Sequence, residues 1–179
     1  MRYEKGDIKV RPLKDEDAEF LYNWLNDPRI LEYYEGRDKP FTHEMVEEAF
    51  YNDDKEKVAC IVQYKGEKVG YLQYYPLDDD TKLRYGYTNL DEFIYGTDQF
   101  IGDSRYWNKG VGTLMIKAMV EYFMLEKGLH RLVMDPMTWN RRAIRCYEKC
   151  GYSKARILPQ NELHEGEWHD CWLMEYIPD

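Results

Sequence analysis

The order of apolar and polar positions predicts that the first half of the chain is built around β-strands. Residues 8–13 alternate in polarity and reach a proline, as expected of a first strand. Residues 58–64 form a continuous apolar run, which is typical of a buried strand. A turn at residues 65–67 leads into residues 69–75 and predicts a hairpin, and residues 92–102 are predicted to form a third central strand.

Two helices are predicted between the first strand and the hairpin. Asp15 is a candidate N-cap for the first helix, which the Asn-Asp-Pro sequence at residues 26–28 ends. Thr42 is a candidate N-cap for the second helix. The apolar positions at helical spacing are Phe20, Leu21, Trp24 and Leu25 in the first helix, and Met45, Val46, Ala49 and Phe50 in the second.

The second half of the chain alternates helices with strands. Apolar side chains at helical spacing between Val111 and Tyr122 predict a helix that ends at Gly128. The remaining predicted elements are a polar loop at 76–90, a strand at 131–135, a helix at 140–149 and strands near 152–158 and 171–177. This order implies an α/β (α+β) fold with one mixed sheet and helices on both of its faces.

Composition restricts the class of protein. A chain of 179 residues fits a single domain, here residues 1–179, and its formal net charge of −9 argues against nucleic acid as a partner. The acidity favours a cationic ligand or serves only solubility. The 17 tyrosines suit either the walls of a ligand cleft or an ordinary core and surface. With no signal peptide and no apolar run of about 20 residues, we expect a cytoplasmic protein that is not bound to a membrane.

The four cysteines include Cys146 and Cys150, which are spaced to share one helix face. A metal pair with His164 or His169 is conceivable, but ordinary buried thiols are the more common use of such residues. We therefore expect no metal.

The turn Lys109-Gly110-Val111-Gly112-Thr113 lies between a predicted strand and a predicted helix. Glycines allow backbone N–H groups to approach a ligand, and the N-terminus of the following helix adds unpaired N–H groups and a positive dipole end. The turn therefore predicts an anion site that fits a pyrophosphate. A plain glycine-containing loop before a helix is the alternative.

A second segment, residues 140–152, carries the pattern Asn-x-x-Ala-x-x-x-Tyr-x-x-x-Gly-Tyr. Together with the glycine turn it resembles the GCN5-related N-acetyltransferase (GNAT) superfamily. The resemblance implies the fold of that family, a mixed and mostly antiparallel sheet of about six to seven strands, and acetyl-coenzyme A as acetyl donor. The chain differs at Trp107, where the family usually has glutamine or arginine.

Other segments resemble the aminoglycoside 6'-N-acetyltransferases, most closely the acetyltransferase half of the bifunctional acetyltransferase-phosphotransferase resistance enzyme. They are residues 24–27, 36–38, 95–102 and 162–166. The resemblance implies transfer of acetyl to the 6'-amine of a polycationic antibiotic. We expect a monomer or a homodimer, a choice on which the sequence is silent. Acetylation of another amine, on a protein N-terminus, a polyamine or a hydroxylysine, is the alternative, and a non-catalytic acyl-CoA sensor is the third possibility.

Two residues are candidates for proton transfer. Strand alternation puts Asp98 on the face of Gly96 and Phe100, and the resemblance implies that Asp98 is the base or the amine anchor. Because an ordinary aspartate has a pKa near ~3.9, it must be raised by burial, act through water, or mainly hold the cation. The resemblance implies that Tyr147 is the acid that protonates the thiolate, although it also fits an apolar helix face.

The remaining candidates are binding residues. The resemblance implies those for the coenzyme and Asp135, whereas the weaker ones rest on the acidic and aromatic groups expected around a polycation. Asn140 is expected to bind pantetheine or to cap its helix. The other candidates for coenzyme binding are Phe100, Ile101, Lys109, Gly110, Val111, Gly112, Thr113 and Ala143. Asp135 is expected to contact substrate amines or to cap the turn that follows it. The weaker candidates for substrate binding are Trp24, Tyr74, Tyr95 and Glu167.

Overall fold

The computed structural model describes residues 1–52, 56–126 and 129–178, which form an eight-stranded sheet with helices on both faces. The strands in chain order are β1 (Tyr3–Lys5), β2 (Ile8–Pro12), β3 (Val58–Tyr64), β4 (Glu67–Pro76), β5 (Ile94–Ile101), β6 (Arg131–Met134), β7 (Ser153–His164) and β8 (Glu167–Tyr176). The helices are α1 (Ala18–Trp24), α2 (Pro28–Leu31), α3 (His43–Phe50), α4 (Asp79–Arg84), α5 (Val111–Glu126) and α6 (Arg141–Glu148).

The sheet has the spatial order β1-β2-β3-β4-β5-β6-β8-β7 and is antiparallel except between β5 and β6. The predicted mixed and mostly antiparallel sheet is therefore confirmed, but it has eight strands rather than six to seven. The additional strand is β1, which pairs with β2 at the edge of the sheet. Its three residues are too few to produce a recognisable alternation in the sequence.

The start of the first helix differs from its prediction. Asp15 does not cap α1 but begins a short 3-10 turn, Asp15–Asp17, and α1 starts at Ala18. Pro28 opens α2 rather than only ending α1, because the Asp27 side chain accepts a hydrogen bond from the N–H of Arg29 and so caps a new helix. The predicted cap at Thr42 is confirmed by its bond from the N–H of Met45.

The polar segment 76–90 contains the short helix α4, where the sequence predicts only a loop. Asp78 caps this helix by accepting a hydrogen bond from the N–H of Thr81 at 2.7 Å. A short helix held by its cap and by tertiary contacts has no apolar periodicity for a sequence pattern to detect. The predicted end of the α5 helix at Gly128 lies outside the described residues.

Two apolar layers enclose the central strands. On one face, α5 packs Met115, Ile116 and Met119 against Val62 and Leu72 of the sheet. On the other face, Leu21 of α1, Leu25 just after it and Val46 of α3 belong to one buried cluster with Ile61 of β3 and Tyr71 of β4. The alternation of side chains along β3 and β4, which one register shift between Val62 and Gln63 interrupts, supplies both layers from the same strands.

The pairing between β5 and β6 is short, so these two central strands are hydrogen-bonded to each other over only part of their length. It covers only three residue pairs, from Ile94 with Arg131 to Gly96 with Val133. β5 continues to Ile101, whereas β6 ends at Met134. The two parallel strands therefore separate after Gly96 and leave a cleft between them.

A buried ion pair joins the start of α1 to the sheet. The side chain of Asp17 is fully buried and accepts from Arg11 Nη1 at 2.7 Å, and Lys68 Nζ lies 2.7 Å from its other oxygen. Burial raises the pKa of Asp17, but the hydrogen bonds from Arg11 and Lys68 outweigh this effect and hold the pKa below its usual value. The carboxylate therefore stays ionised at neutral pH.

We expect Asp17→Ala to lower the free energy of unfolding by about 3–5 kcal/mol, because it leaves two cations without their anion. Denaturant unfolding at pH 7 measures this change. The control is Asp7→Ala, which removes an exposed pair with Lys65 at 3.9 Å and is expected to cost less than about 1 kcal/mol. Equal losses in the two variants would contradict a structural role for the buried pair.

Candidate active site

A cavity of about 960 Å³ opens where β5 and β6 separate. Its walls come from β4, β5, the start of α5, the end of β6, α6 and β7. The sequence-predicted residues that line it are Asp98, Phe100, Ile101, Gly110, Gly112, Thr113, Asp135, Asn140, Ala143 and Tyr147. Both candidates for proton transfer thus face the same space as the glycine turn.

The other sequence-predicted site residues lie outside the cavity lining. Tyr74 and Tyr95 pack on Phe123 of α5, on the opposite face of the sheet from Asp98. Trp24 packs beneath Gly102, where any side chain would collide with its ring. Val111 is buried and Lys109 is exposed. Glu167 is exposed next to the turn between β7 and β8.

The glycine turn has the geometry of an anion site. Gly110 has a φ of +81°, a conformation that favours glycine, and an added Cβ there would meet no atom within 4 Å. The carbonyl of Gly110 accepts from the N–H of Leu114 and starts the hydrogen bonding of α5. The turn end of the cavity, lined by Asn108, Gly110, Gly112 and Thr113, therefore borders the unpaired N–H groups of the helix.

The open edge of β5 presents Ile101 to the cleft. The carbonyl of Ile101 accepts a hydrogen bond from Trp107 Nε1 at 2.7 Å on the side away from β4. Phe100 also lines the cavity, but its carbonyl points toward Gly70 of β4. Of the two residues predicted to pair with an extended ligand, Ile101 is the one whose backbone faces the open side.

Asn140 and Tyr147 stand on α6 beside the cleft. Asn140 caps the helix, because its Oδ1 accepts from the N–H of Ala143 at 3.2 Å. Tyr147 is buried, and Gln99 Nε2 donates to its hydroxyl at 2.9 Å. Burial raises the pKa of Tyr147 above its usual value, although the bond from Gln99 opposes this. The phenol therefore keeps its proton at neutral pH and has one to donate.

Four carboxyl groups form an acidic chamber in the cavity, made by Glu35, Asp98, Asp135 and Glu162. Asp98 accepts from Gln73 Nε2 at 2.6 Å. Asp135 accepts from the hydroxyl of Tyr85 and from Asn161 Nδ2, both at 2.8 Å. Neutral donors hold these carboxylates in place without neutralising their charge.

Burial and mutual repulsion shift the acidity of the chamber. Burial raises the pKa of Asp98 to about 6, and the charges of Asp135 and Glu35 act in the same direction. Burial also raises the pKa of Glu162 to about 7, again with repulsion from Asp135 and Glu35. Burial raises the pKa of Glu35 as well. Such groups gain most from a cation that enters between them.

Glu35 and Glu162 were missed as site residues from the sequence. Glu162 belongs to one of the segments that carry the aminoglycoside acetyltransferase resemblance, but the candidate predicted in the same hairpin is Glu167. Glu35 follows α2 in a left-handed conformation with a φ of +68°. That conformation is uncommon for a residue with a side chain, and no pattern in the sequence indicates it.

The acetyltransferase (GNAT) domain model matches residues 14–159. The chain belongs to the GNAT acetyltransferase family. It is 29% identical to the aminoglycoside N(6')-acetyltransferase type 1 of Klebsiella pneumoniae over 150 residues, which are 82% of this chain and 74% of that protein. A crystal structure of the aminoglycoside acetyltransferase AAC(6')-Ib with coenzyme A and kanamycin has a TM-score of 0.74 and 25% identity, covering 95% of this chain and 94% of that one.

Spermidine acetyltransferases are also similar to this chain. The spermidine N(1)-acetyltransferase of Escherichia coli is 24% identical over 170 residues, which are 93% of this chain and 84% of that protein. The family match and the similar acetyltransferases show that this chain is an acetyl-CoA-dependent N-acetyltransferase. The described residues include no helix that is long and apolar enough to cross a membrane.

The cavity fits acetyl-CoA at its turn end. The open space over Gly110 and the N-terminus of α5 suit the pyrophosphate, and the edge of β5 at Ile101, which no neighbouring strand covers, suits an extended amide-containing arm. When bound, acetyl-CoA supplies a thioester carbonyl as the acetyl source. Asp98 and Tyr147 line the same cavity and are available for proton transfer.

We expect Gly110→Asp to weaken acetyl-CoA binding by about tenfold or more, because it adds a negative charge where the pyrophosphate is expected. Isothermal titration calorimetry measures the dissociation constant. Gly66→Asp is a matched control, since Gly66 has a φ of +85° and open space around it but lies in the turn between β3 and β4. Equal affinities in the two variants would exclude the turn as the phosphate site.

We expect Glu162→Gln to raise the free energy of unfolding at pH 8 by about 1–2 kcal/mol and to leave it unchanged near pH 4. Because the pKa of Glu162 is raised in the folded protein to about 7, its contribution to stability is present below the usual pKa and is lost as the pH rises through 7. Denaturant unfolding at both pH values measures this. The exposed Glu167→Gln is the control, and a gain that is the same at both pH values would refute the explanation.

Proposed function

We propose that the protein transfers the acetyl group of acetyl-CoA to the 6'-amine of aminoglycoside antibiotics and so confers resistance to them. The observation that carries the proposal is the acidic chamber beside Tyr147. The cavity lining also has five cations, but three of them, Arg142, Arg145 and Lys149, belong to α6 and its C-terminal cap. The four carboxyl groups outnumber the other two, Lys39 and Arg84. An acceptor with several ammonium groups would offset both the burial and the mutual repulsion that raise the pKa of Asp98 and Glu162.

The neutral groups of the chamber support a sugar as acceptor. Gln73, Tyr75, Tyr85 and Asn161 line it together with the carboxyl groups. Amide and phenol groups can bind the hydroxyls of an aminoglycoside and offer the aromatic surface that sugar rings contact. The similarity to the Klebsiella pneumoniae enzyme and to the kanamycin complex supports the same acceptor class.

Asp98 is proposed as the group that receives the amine proton. It holds the incoming ammonium, and its pKa of about 6 makes it a stronger base than an ordinary carboxylate. Loss of that proton frees the nitrogen lone pair to form the bond to the carbonyl carbon. The nitrogen, which is positively charged after the attack, loses its second proton to solvent as it becomes the amide. Tyr147 donates its phenolic proton to the sulfur as the carbon–sulfur bond breaks, and Tyr147 is reprotonated from solvent while Asp98 releases its proton there.

A polyamine is the second candidate acceptor, because it is also a polycation and because spermidine acetyltransferases are similar to this chain. A polyamine has no hydroxyl groups. Gln73 and Tyr85 already donate to Asp98 and Asp135, and their remaining donor and acceptor positions would then face a methylene chain with which they form no hydrogen bonds. The polar lining therefore favours the aminoglycoside.

The test is a thiol-release assay with acetyl-CoA against kanamycin, tobramycin, analogues with a 6'-hydroxyl, and spermidine. We expect the two 6'-amines to exceed both other classes by more than about tenfold in kcat/KM, and mass spectrometry with NMR to locate the acetyl group on N6'. Asp98→Asn should lower kcat by about 10²–10⁴-fold and leave the acetyl-CoA affinity unchanged. Equal turnover of spermidine, or of the 6'-hydroxyl analogues, would overturn the proposed substrate.

A further inference from the structure

An arginine is held between two aromatic rings at the wall of the cavity. Arg142, in the first turn of α6, has its Cζ 3.8 Å from the ring centre of Trp107 and 4.4 Å from that of Tyr33. The two rings also contact each other edge to face, with centres 6.0 Å apart. The indole is fixed in turn by its hydrogen bond to the carbonyl of Ile101. The guanidinium plane is therefore held by packing and not by an acid.

The N–H groups of Arg142 have no acceptor among the described residues. Other arginines, such as Arg11, Arg37 and Arg131, form ion pairs with carboxylates at 2.5–2.9 Å. The guanidinium of Arg142 lines the cavity without forming an ion pair or a hydrogen bond within the described part of the chain. Because the two rings are nearly perpendicular, at 87°, they contact the guanidinium from adjacent sides and not on its two opposite faces. Its N–H donors, which have no acceptor in the described part of the chain, remain available for an anion.

The position of α6 directs Arg142 toward the glycine turn. Cys146 lies one helical turn after Arg142, and its Sγ is 3.5 Å from Thr113 Oγ1 and 3.7 Å from where a Cβ of Gly112 would stand. The same side of α6 therefore faces Trp107 at Arg142 and the glycine turn at Cys146. The guanidinium and the N-terminus of α5 border one end of the cavity, apart from the acidic chamber.

We propose that Arg142 binds the pyrophosphate of acetyl-CoA from the side opposite the glycine turn, and that Trp107 and Tyr33 hold its guanidinium in the orientation that this requires. A planar guanidinium binds phosphate oxygens in pairs through two parallel N–H groups. Trp107 lies three residues before Gly110, at the position where the family usually has glutamine or arginine, and supplies an aromatic surface there. The cation of this site is Arg142, which comes from α6 and not from the loop. The coenzyme is thus held by α5 on one side and by α6 on the other.

The test compares three acetyl donors: acetyl-CoA, 3'-dephospho-acetyl-CoA and S-acetyl-pantetheine. Arg142→Gln should weaken the binding of acetyl-CoA and of its dephospho form by about 10–100-fold each, because both contain the pyrophosphate. It should leave the KM of S-acetyl-pantetheine, which contains no phosphate, unchanged. Calorimetry measures the two affinities, and the thiol-release assay measures the KM.

Arg141→Gln is the matched control, because Arg141 is the exposed neighbour on the same helix and does not line the cavity. It should leave all three donors unaffected. Trp107→Leu removes one of the two rings that hold the guanidinium of Arg142. It should weaken the binding of the two donors that contain a pyrophosphate several-fold. Thermal unfolding of each variant identifies any loss of affinity that comes from a destabilised fold.

Three results would overturn the assignment. If Arg142→Gln weakened the binding of acetyl-CoA but not that of 3'-dephospho-acetyl-CoA, Arg142 would be assigned to the 3'-phosphate. Equal weakening of all three donors would indicate a structural role or a contact with pantetheine. Unchanged binding of acetyl-CoA would exclude Arg142 from the coenzyme site. None of these measurements depends on the acceptor, so they separate this proposal from that of aminoglycoside acetylation.

Discussion

The separation of β5 from β6 is the constraint on which the site depends. The parallel pairing ends at Gly96 because β6 stops at Met134, while antiparallel pairing with β4 holds β5 straight to Ile101. A strand edge without a neighbour has free N–H and C=O groups, which an extended ligand can bind. The same separation brings α6 close to the glycine turn and opens the space that Asp98 borders.

Charge is divided along this cavity. Its turn end borders the N-terminus of α5 and the guanidinium of Arg142, and the acidic chamber contains the four carboxyl groups. An anionic coenzyme and a cationic acceptor would each meet opposite charge and be brought together near Tyr147. The arrangement has a cost, since burial of several carboxyl groups raises the pKa of Asp98 and Glu162 and destabilises the chamber when it contains no ligand.

Much of the fold could be predicted because its signals are local. The apolar run of β3, the helical spacing in α5 and the cap at Thr42 each depend on neighbours in the chain. The errors have a common cause. β1 and α4 are short and contain no apolar periodicity, and Asp15 lies close to Asp17, whose buried ion pair with Arg11 and Lys68 decides the local conformation.

The sequence by itself determined the glycine turn, the Asn140–Tyr152 segment and hence the coenzyme, since backbone geometry and helix caps are set by residues adjacent in the chain. Only the tertiary structure decided which side chains face the acceptor. Glu35 and Glu162 are 127 positions apart and meet only because β7 folds back beside the segment after α2. Tyr33, Trp107 and Arg142 also come together only in the folded protein. A contact between distant segments produces no periodic pattern in the sequence from which it could be predicted.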